Sequence, residues 1–211
     1  MVVYRTEKPR RPTSRDAKRE ATRKRLLDAA RELFSEYGYD AVSVSEIAKA
    51  AGVQHSLINT YFHAKAGLLY ELVHENNAEQ IERSRAALTV KGDVLARLRK
   101  LVDVWIKSDL ADPRLLAVME AYFWQWPAET EEHNRRQRDA ALEVAREILR
   151  KGIEAGEIRP DLDFGRWVDS FFAIYTLGLR SAVYDGATPK ACRDEILRKT
   201  ELMLQGARVD A

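Results

Sequence analysis

Ser43-Val-Ser-Glu-Ile-Ala-Lys-Ala-Ala-Gly-Val-Gln-His-Ser-Leu-Ile-Asn-Thr-Tyr-Phe-His-Ala-Lys65 is the stretch whose reading decides the fold. Ser43 and Glu46 stand three apart, the spacing at which each side chain satisfies the other residue's free backbone N–H, so a helix is predicted from about Val44. Ile47, Ala48 and Ala51 form its apolar face, and Gly52 offers the left-handed conformation that ends a helix at low cost. Val53 fills the corner. Gln54 to Thr60 then form a second short helix, with Leu57, Ile58 and Tyr61 spaced to face inward.

The outer face of that second helix carries Gln54, His55, Ser56, Asn59 and Thr60. These are hydrogen-bonding side chains with almost no formal charge, and they suit base-pair edges, where donors and acceptors must be matched one to one. A helix that is merely solvated carries Glu and Lys more often. Ten Lys or Arg against three acids in residues 1 to 25 leave +7 there and −5 in the remainder of a chain whose net charge is +2. Residues 1–20 are read as a flexible basic arm. Beside a helix-turn-helix such an arm neutralises phosphates and can reach an adjacent minor groove. A first helix is expected from near Asp16 or Thr22 to Gly38, with Leu26, Leu27, Ala30, Leu33, Phe34 and Tyr37 as its core face.

From Thr22 to Leu69 these features also carry a family pattern: Leu26-Leu27-x-Ala29-Ala30-x-x-Leu33-Phe34-x-x-x-Gly38-Tyr39, then Ser43-Val44-x-x-Ile47-Ala48-x-x-Ala51-Gly52-Val53, then Tyr61-Phe62-x-x-Lys65-x-x-Leu68-Leu69. The chain resembles the N-terminal domain of TetR-family transcriptional regulators. The resemblance implies that the second short helix enters the major groove while Ser43, Tyr61 and Lys65 touch phosphates. His63, at the end of that helix, joins the candidate DNA-binding residues. His63-Ala64 departs from the family's usual residues before the lysine, often Gly or Pro followed by Ser.

The rest of the chain is read as helical. Leu68, Leu69, Leu72 and Val73 begin a fourth helix, Lys91-Gly92-Asp93 marks a break, and Val94 to Ile106 carries one apolar face. Pro113 and Pro127 bound the next helix, another runs from about Ala128 to Glu154, and the last two span about Phe164–Tyr184 and Pro189–Leu204. The expected organisation is all-α with about nine helices: a helix-turn-helix domain over 21–65, a helical ligand-binding and dimerisation domain over 66–206, and a tail at 207–211.

Aromatic residues concentrate in the C-terminal part. Trp105, Met119, Tyr122, Phe123, Trp126, Trp167, Phe171 and Tyr175 are the candidate lining of a small-molecule pocket, with Glu120 and Gln125 as orienting groups. The alternative is that these rings are bundle core. Such a lining suits a flat apolar or aromatic compound, or a cation held over ring faces. In the family the last two helices pair with their copies, and Gly178, Ser181 and Ala182 would allow close approach there. Dimerisation also follows from the DNA side, because two-fold partners place two reading helices about 34 Å apart on a near-palindrome.

Other classes find little support. Cys192 is the only cysteine, which excludes an intrachain disulfide and a cysteine cluster. Histidines 55, 63, 74 and 133 lack metal-ligand spacing, and no hydrolase, protease or phosphate-loop motif is present. No metal or cofactor is therefore expected, and no enzymatic activity. No secretory or membrane-spanning segment is visible, so a cytoplasmic protein is the expectation. The reading is a DNA-binding regulator, a repressor released from its operator by a small molecule. An activator, or a regulator that senses no small molecule, is the alternative; a helical ligand-binding protein or enzyme without a DNA role is the more distant one.

Overall fold

Local capping chemistry sets the first helix boundaries. In the computed structural model, which describes residues 13–122, 125–126 and 131–209, α1 spans Ser14–Tyr37 and opens on a capping box. The Asp16 N–H donates to Thr13 Oγ1 at 3.2 Å and the Thr13 N–H to Asp16 Oδ2 at 2.8 Å. The Thr13 donors also hold the Asp16 carboxyl below the ordinary range. Residues 14–20, read as arm, are thus the first two turns of α1; the rest of the arm, 1–12, lies outside the described residues. Leu26, Leu27, Ala29, Ala30 and Phe34 are the buried face. Tyr37, expected in the core, is 58% exposed, and Tyr39 takes its place with its ring centroid 5.1 Å from that of Phe34.

α2 spans Val44–Ala50 and α3 Ser56–Phe62, with Gly52 at φ 64° in the turn between them. α4 runs Lys65–Ser84. Cα proximity divides the chain into two compact units that meet at Glu71 and Leu72. The boundary falls within α4, past the 65/66 position expected, because α4's first turns are fastened to the N-terminal helices: Arg23 of α1 pairs with Glu71. Gly67 stands so close to the end of α3 that a Cβ there would lie 1.9 Å from the Phe62 carbonyl oxygen.

The C-terminal unit continues through a 3-10 turn (Arg85–Thr89), α5 (Val94–Asp109), α6 (Pro113–Tyr122), α7 (Glu131–Glu154), α8 (Phe164–Gly178), α9 (Arg180–Tyr184) and α10 (Pro189–Gln205). Asp93 caps α5 by accepting from the Ala96 N–H at 2.9 Å, and Thr188 caps α10 ahead of its proline. α5 packs on α7 and α10, and α8 on the same two helices. Leu98, Leu101, Ile148, Phe171 and Ile196 are fully buried in the shared core. The helix expected over Phe164–Tyr184 is broken at Leu179 into α8 and α9. Gly178 serves packing within the chain: a Cβ there would lie 2.3 Å from Ile196 Cγ1 of α10. The tail is fastened as far as Val209, since Ala207 is buried and Ile158 and Arg208 form an isolated antiparallel bridge, in which the Arg159 N–H donates to the Ala207 carbonyl at 3.0 Å and the Val209 N–H to the Glu157 carbonyl at 3.3 Å. No helix among the described residues is long and apolar enough to cross a membrane.

Candidate nucleic-acid interface and cavity

α3 is anchored by Ile58 and Phe62, at 0% and 3% exposure. Burying two such side chains contributes about 3–6 kcal/mol by area. Leu57 and Tyr61, expected inward, are only partly buried, and the Arg19 guanidinium lies 5.5 Å from the Tyr61 ring centroid. The opposite face is exposed at Gln54, His55, Ser56, Asn59 and Thr60. Among the described residues the side chains of Gln54, His55, Ser56 and Asn59 have no hydrogen-bond partner, so their donors and acceptors are available to base edges. Thr60 donates to the Ser56 carbonyl at 3.1 Å and leaves its lone pairs outward.

The residues assigned to phosphates have other work as well. Ser43 gives its hydroxyl proton to Glu46 Oε2 at 2.7 Å within the capping box. The Lys65 ammonium donates to the carbonyls of Tyr39 and Val42, each at 2.9 Å, and stands 4.2 Å from the Tyr39 ring centroid. Two of its three protons therefore clamp α4 to the loop between α1 and α2, and one is left for a phosphate. His63, exposed at the end of α3, has φ 62° and ψ −32°. The Ala64 N–H donates to the Phe62 carbonyl at 2.7 Å, which makes this a γ-turn with positive φ centred on a β-substituted residue. Such a turn is strained, at a cost of about 1–3 kcal/mol.

In the C-terminal unit a cavity of about 870 Å³ opens among α4 to α8. Trp105, Met119, Glu120, Trp126 and Tyr175 line it, as expected of them. Tyr122 is not in the lining; its ring packs on Trp126 at 5.7 Å between centroids. Trp167 and Phe171 are core: they stack on each other at 5.7 Å, four residues apart on the buried face of α8. Phe123 lies outside the described residues. Gln125 turns back to the Ala121 carbonyl at 2.9 Å and is not part of the lining.

The inner wall holds polar groups that sequence reading missed. Asp109, the last residue of α5, accepts from Gln80 Nε2 at 2.6 Å and from the Tyr175 hydroxyl at 2.5 Å. Trp105 Nε1 donates to Ser84 Oγ at 2.8 Å, and Ser84 donates to the Gln80 carbonyl at 2.7 Å. Burial raises the Asp109 carboxyl to about 6 against the pull of its donors Tyr175, Gln80 and Asn76. Burial, then the charge of Asp109, lifts Tyr175 well above the ordinary phenol range, so it stays protonated and donates. The missed signal was an acid four residues after Trp105, at the end of the stripe Val94, Leu98, Val102, Trp105.

A short uncharged helix set out on a helix-turn-helix head, beside a helical unit with its own cavity, defines a transcription regulator. Residues 26–72 match the family described as bacterial regulatory proteins, tetR family. The chain is 34% identical over 158 residues to the HTH-type transcriptional regulator AcrR of Shigella flexneri, covering 71% of this chain and 73% of that protein. Among solved structures it resembles FadR of Bacillus subtilis, determined in complex with stearoyl-CoA, with a TM-score of 0.74 and 26% identity over 87% of this chain and 98% of that one. It also resembles Thermus thermophilus FadR, a transcriptional repressor determined with lauroyl-CoA, with a TM-score of 0.68 and 26% identity over 90% and 96% of the two chains. The chain belongs to the TetR family and is a DNA-binding transcriptional regulator.

Proposed function

We propose that the chain is a homodimeric repressor that holds a near-palindromic operator and releases it when a small molecule occupies the cavity of the C-terminal unit. The observation that carries this reading is the cavity itself: at about 870 Å³ it falls within the 300–1,000 Å³ usual for small-molecule sites and combines aromatic walls with a few converging polar groups. Gln54, His55, Ser56, Asn59 and Thr60 read base edges. Tyr61, the remaining proton of Lys65, Ser43 and His63 face the phosphates. The second copy is supported by the large apolar side chains left exposed on α8, α9 and α10, namely Leu177 at 65%, Tyr184 at 68% and Leu202 at 68%. The coupling is a linkage: a ligand preferred by a dimer with wrongly spaced heads weakens operator binding by the same factor as operator weakens the ligand. The protein acts on DNA in the cytoplasm and works by binding rather than by a chemical step.

The test is binding of the purified protein to DNA flanking its own gene and to scrambled DNA, across a salt series, with and without candidate effectors. Selective binding of a dimer with a steep salt dependence, relieved by an effector, is expected. Equal affinity for both DNAs throughout would overturn the reading.

A further inference from the structure

We propose that the effector of this cavity is a cation with an apolar, aromatic-sized body, its positive charge held by Asp109 against the rings of Trp105 and Tyr175. The inference rests on the reading of the cavity as the effector site and names the chemistry that site selects. Asp109 is a carboxylate at the C-terminal end of α5, where the helix's own carbonyls already present negative potential. Its two oxygens are each met by a neutral donor, Gln80 and Tyr175, and among the described residues no Lys or Arg pairs with it. Neutral donors orient a buried carboxylate without cancelling its charge, which leaves a place for a counter-ion.

The wider lining has the same sign. Among the described residues Asp109, Glu120 and Asp169 line the cavity without an ion-pair partner, whereas Glu131 is paired with Arg138 and Asp139 with Arg146; the guanidiniums of the lining are Arg135 and Arg138. Both guanidiniums are already engaged by carboxylates, Arg135 by Glu132 at 2.6 Å and Arg138 by Glu131 at 3.4 Å. Glu120, on α6, senses the charge of Asp109: burial and that charge both raise its carboxyl. An arriving cation therefore relieves a repulsion between two carboxylates, while an arriving anion adds to it. The aromatic partners are in place, Trp105 and Tyr175 meeting edge to face with centroids 4.9 Å apart, and ring faces attract cations where water is excluded. A polyanion such as an acyl-CoA meets the opposite potential here.

The experiment titrates the full-length protein at pH 7.5 with three probes, following tryptophan fluorescence and operator retention. The probes are tetraphenylphosphonium, its anionic isostere tetraphenylborate, and stearoyl-CoA. The phosphonium is expected to bind at least about tenfold more tightly than the borate and to release operator. Asp109→Asn should lose about tenfold or more in phosphonium affinity and leave the borate nearly unchanged, and Glu120→Gln, farther from the inner wall, should lose about threefold. A single cooperative melting transition no lower than the parent's would show that each variant is folded. Equal or tighter binding of the borate, or phosphonium affinity untouched by Asp109→Asn, would overturn the proposal. Release by stearoyl-CoA without any preference for the cation would do so too, while leaving the effector-site reading intact. No binding of any probe would remove both.

Discussion

The two units dispose of their polar groups in opposite ways. In the N-terminal unit the hydrogen-bonding side chains of α3 point outward, uncharged, and the cation that could compete with them, Lys65, is turned onto two carbonyls of its own chain. In the C-terminal unit the decisive polar groups point inward, and one of them, Asp109, has no counter-charge beside it among the described residues. The head is thus complete before its partner arrives, and DNA adds bonds without relieving any internal repulsion. The cavity is unfinished without its ligand. Stability and function run parallel in the first unit and oppose each other in the second.

The contrast is broken most directly at Asp109. Its folded carboxyl titrates at about 6 rather than the ordinary 3.8, so the protonated form is favoured in the folded protein. The stability this confers is present at pH 4 and below and is lost as pH rises through 6. Asp109→Asn, which never ionises, should therefore be more stable than the parent by about 3 kcal/mol at pH 8, with most of the difference gone by pH 4; urea denaturation at the two pH values measures it. Phosphonium affinity of the parent should fall as pH drops from 8 to 4 and Asp109 takes up its proton, with Glu120 on α6 and Tyr175 on α8 as the other titratable groups facing the carboxylate. A variant no more stable than the parent at pH 8 would show the charge to be already compensated.

Next in size are Asn59→Ala and Gln54→Ala, each expected to reduce discrimination between operator and scrambled DNA by about 2 kcal/mol while leaving the fold unchanged. Uniform weakening on both DNAs would place these side chains on the backbone instead. Lys65→Met sharpens the comparison from the other side. Loss of two charge-assisted bonds and a ring contact should destabilise the head by about 1.5 kcal/mol, beyond any loss at a phosphate; thermal denaturation without DNA separates the two. The smallest effect is a gain: His63→Gly should stabilise the head by about 1 kcal/mol by releasing the positive-φ turn, read from the same melts.

Legibility in the sequence followed locality. The Ser43–Glu46 box, the turn at Gly52 and the helix starts at Pro113 and Pro189 were readable because each depends on residues within one turn. The Lys65 clamp was not, since its acceptors lie 23 and 26 residues away. Asp109 was hidden for the same reason, with Gln80 29 residues before it and Tyr175 66 after it. Aromatic content located the cavity only roughly. Trp105 and Tyr175 reach it while Trp167 and Phe171, on the same helix stripe, close the core behind it, a distinction made by which neighbour each ring meets. The break of α8 at Leu179 had no proline to announce it, and Gly178 just before it is taken up with packing on Ile196.

Gly67 meets neither base pairs nor the cavity, yet the carbonyl of Phe62 occupies the place its side chain would need. Every single-base change in a glycine codon that alters the residue adds a Cβ. In a screen of randomly mutagenised clones for constitutive expression of the target gene, codon 67 should therefore recur among the loss-of-function alleles, with no silent middle ground between the parent residue and the null phenotype.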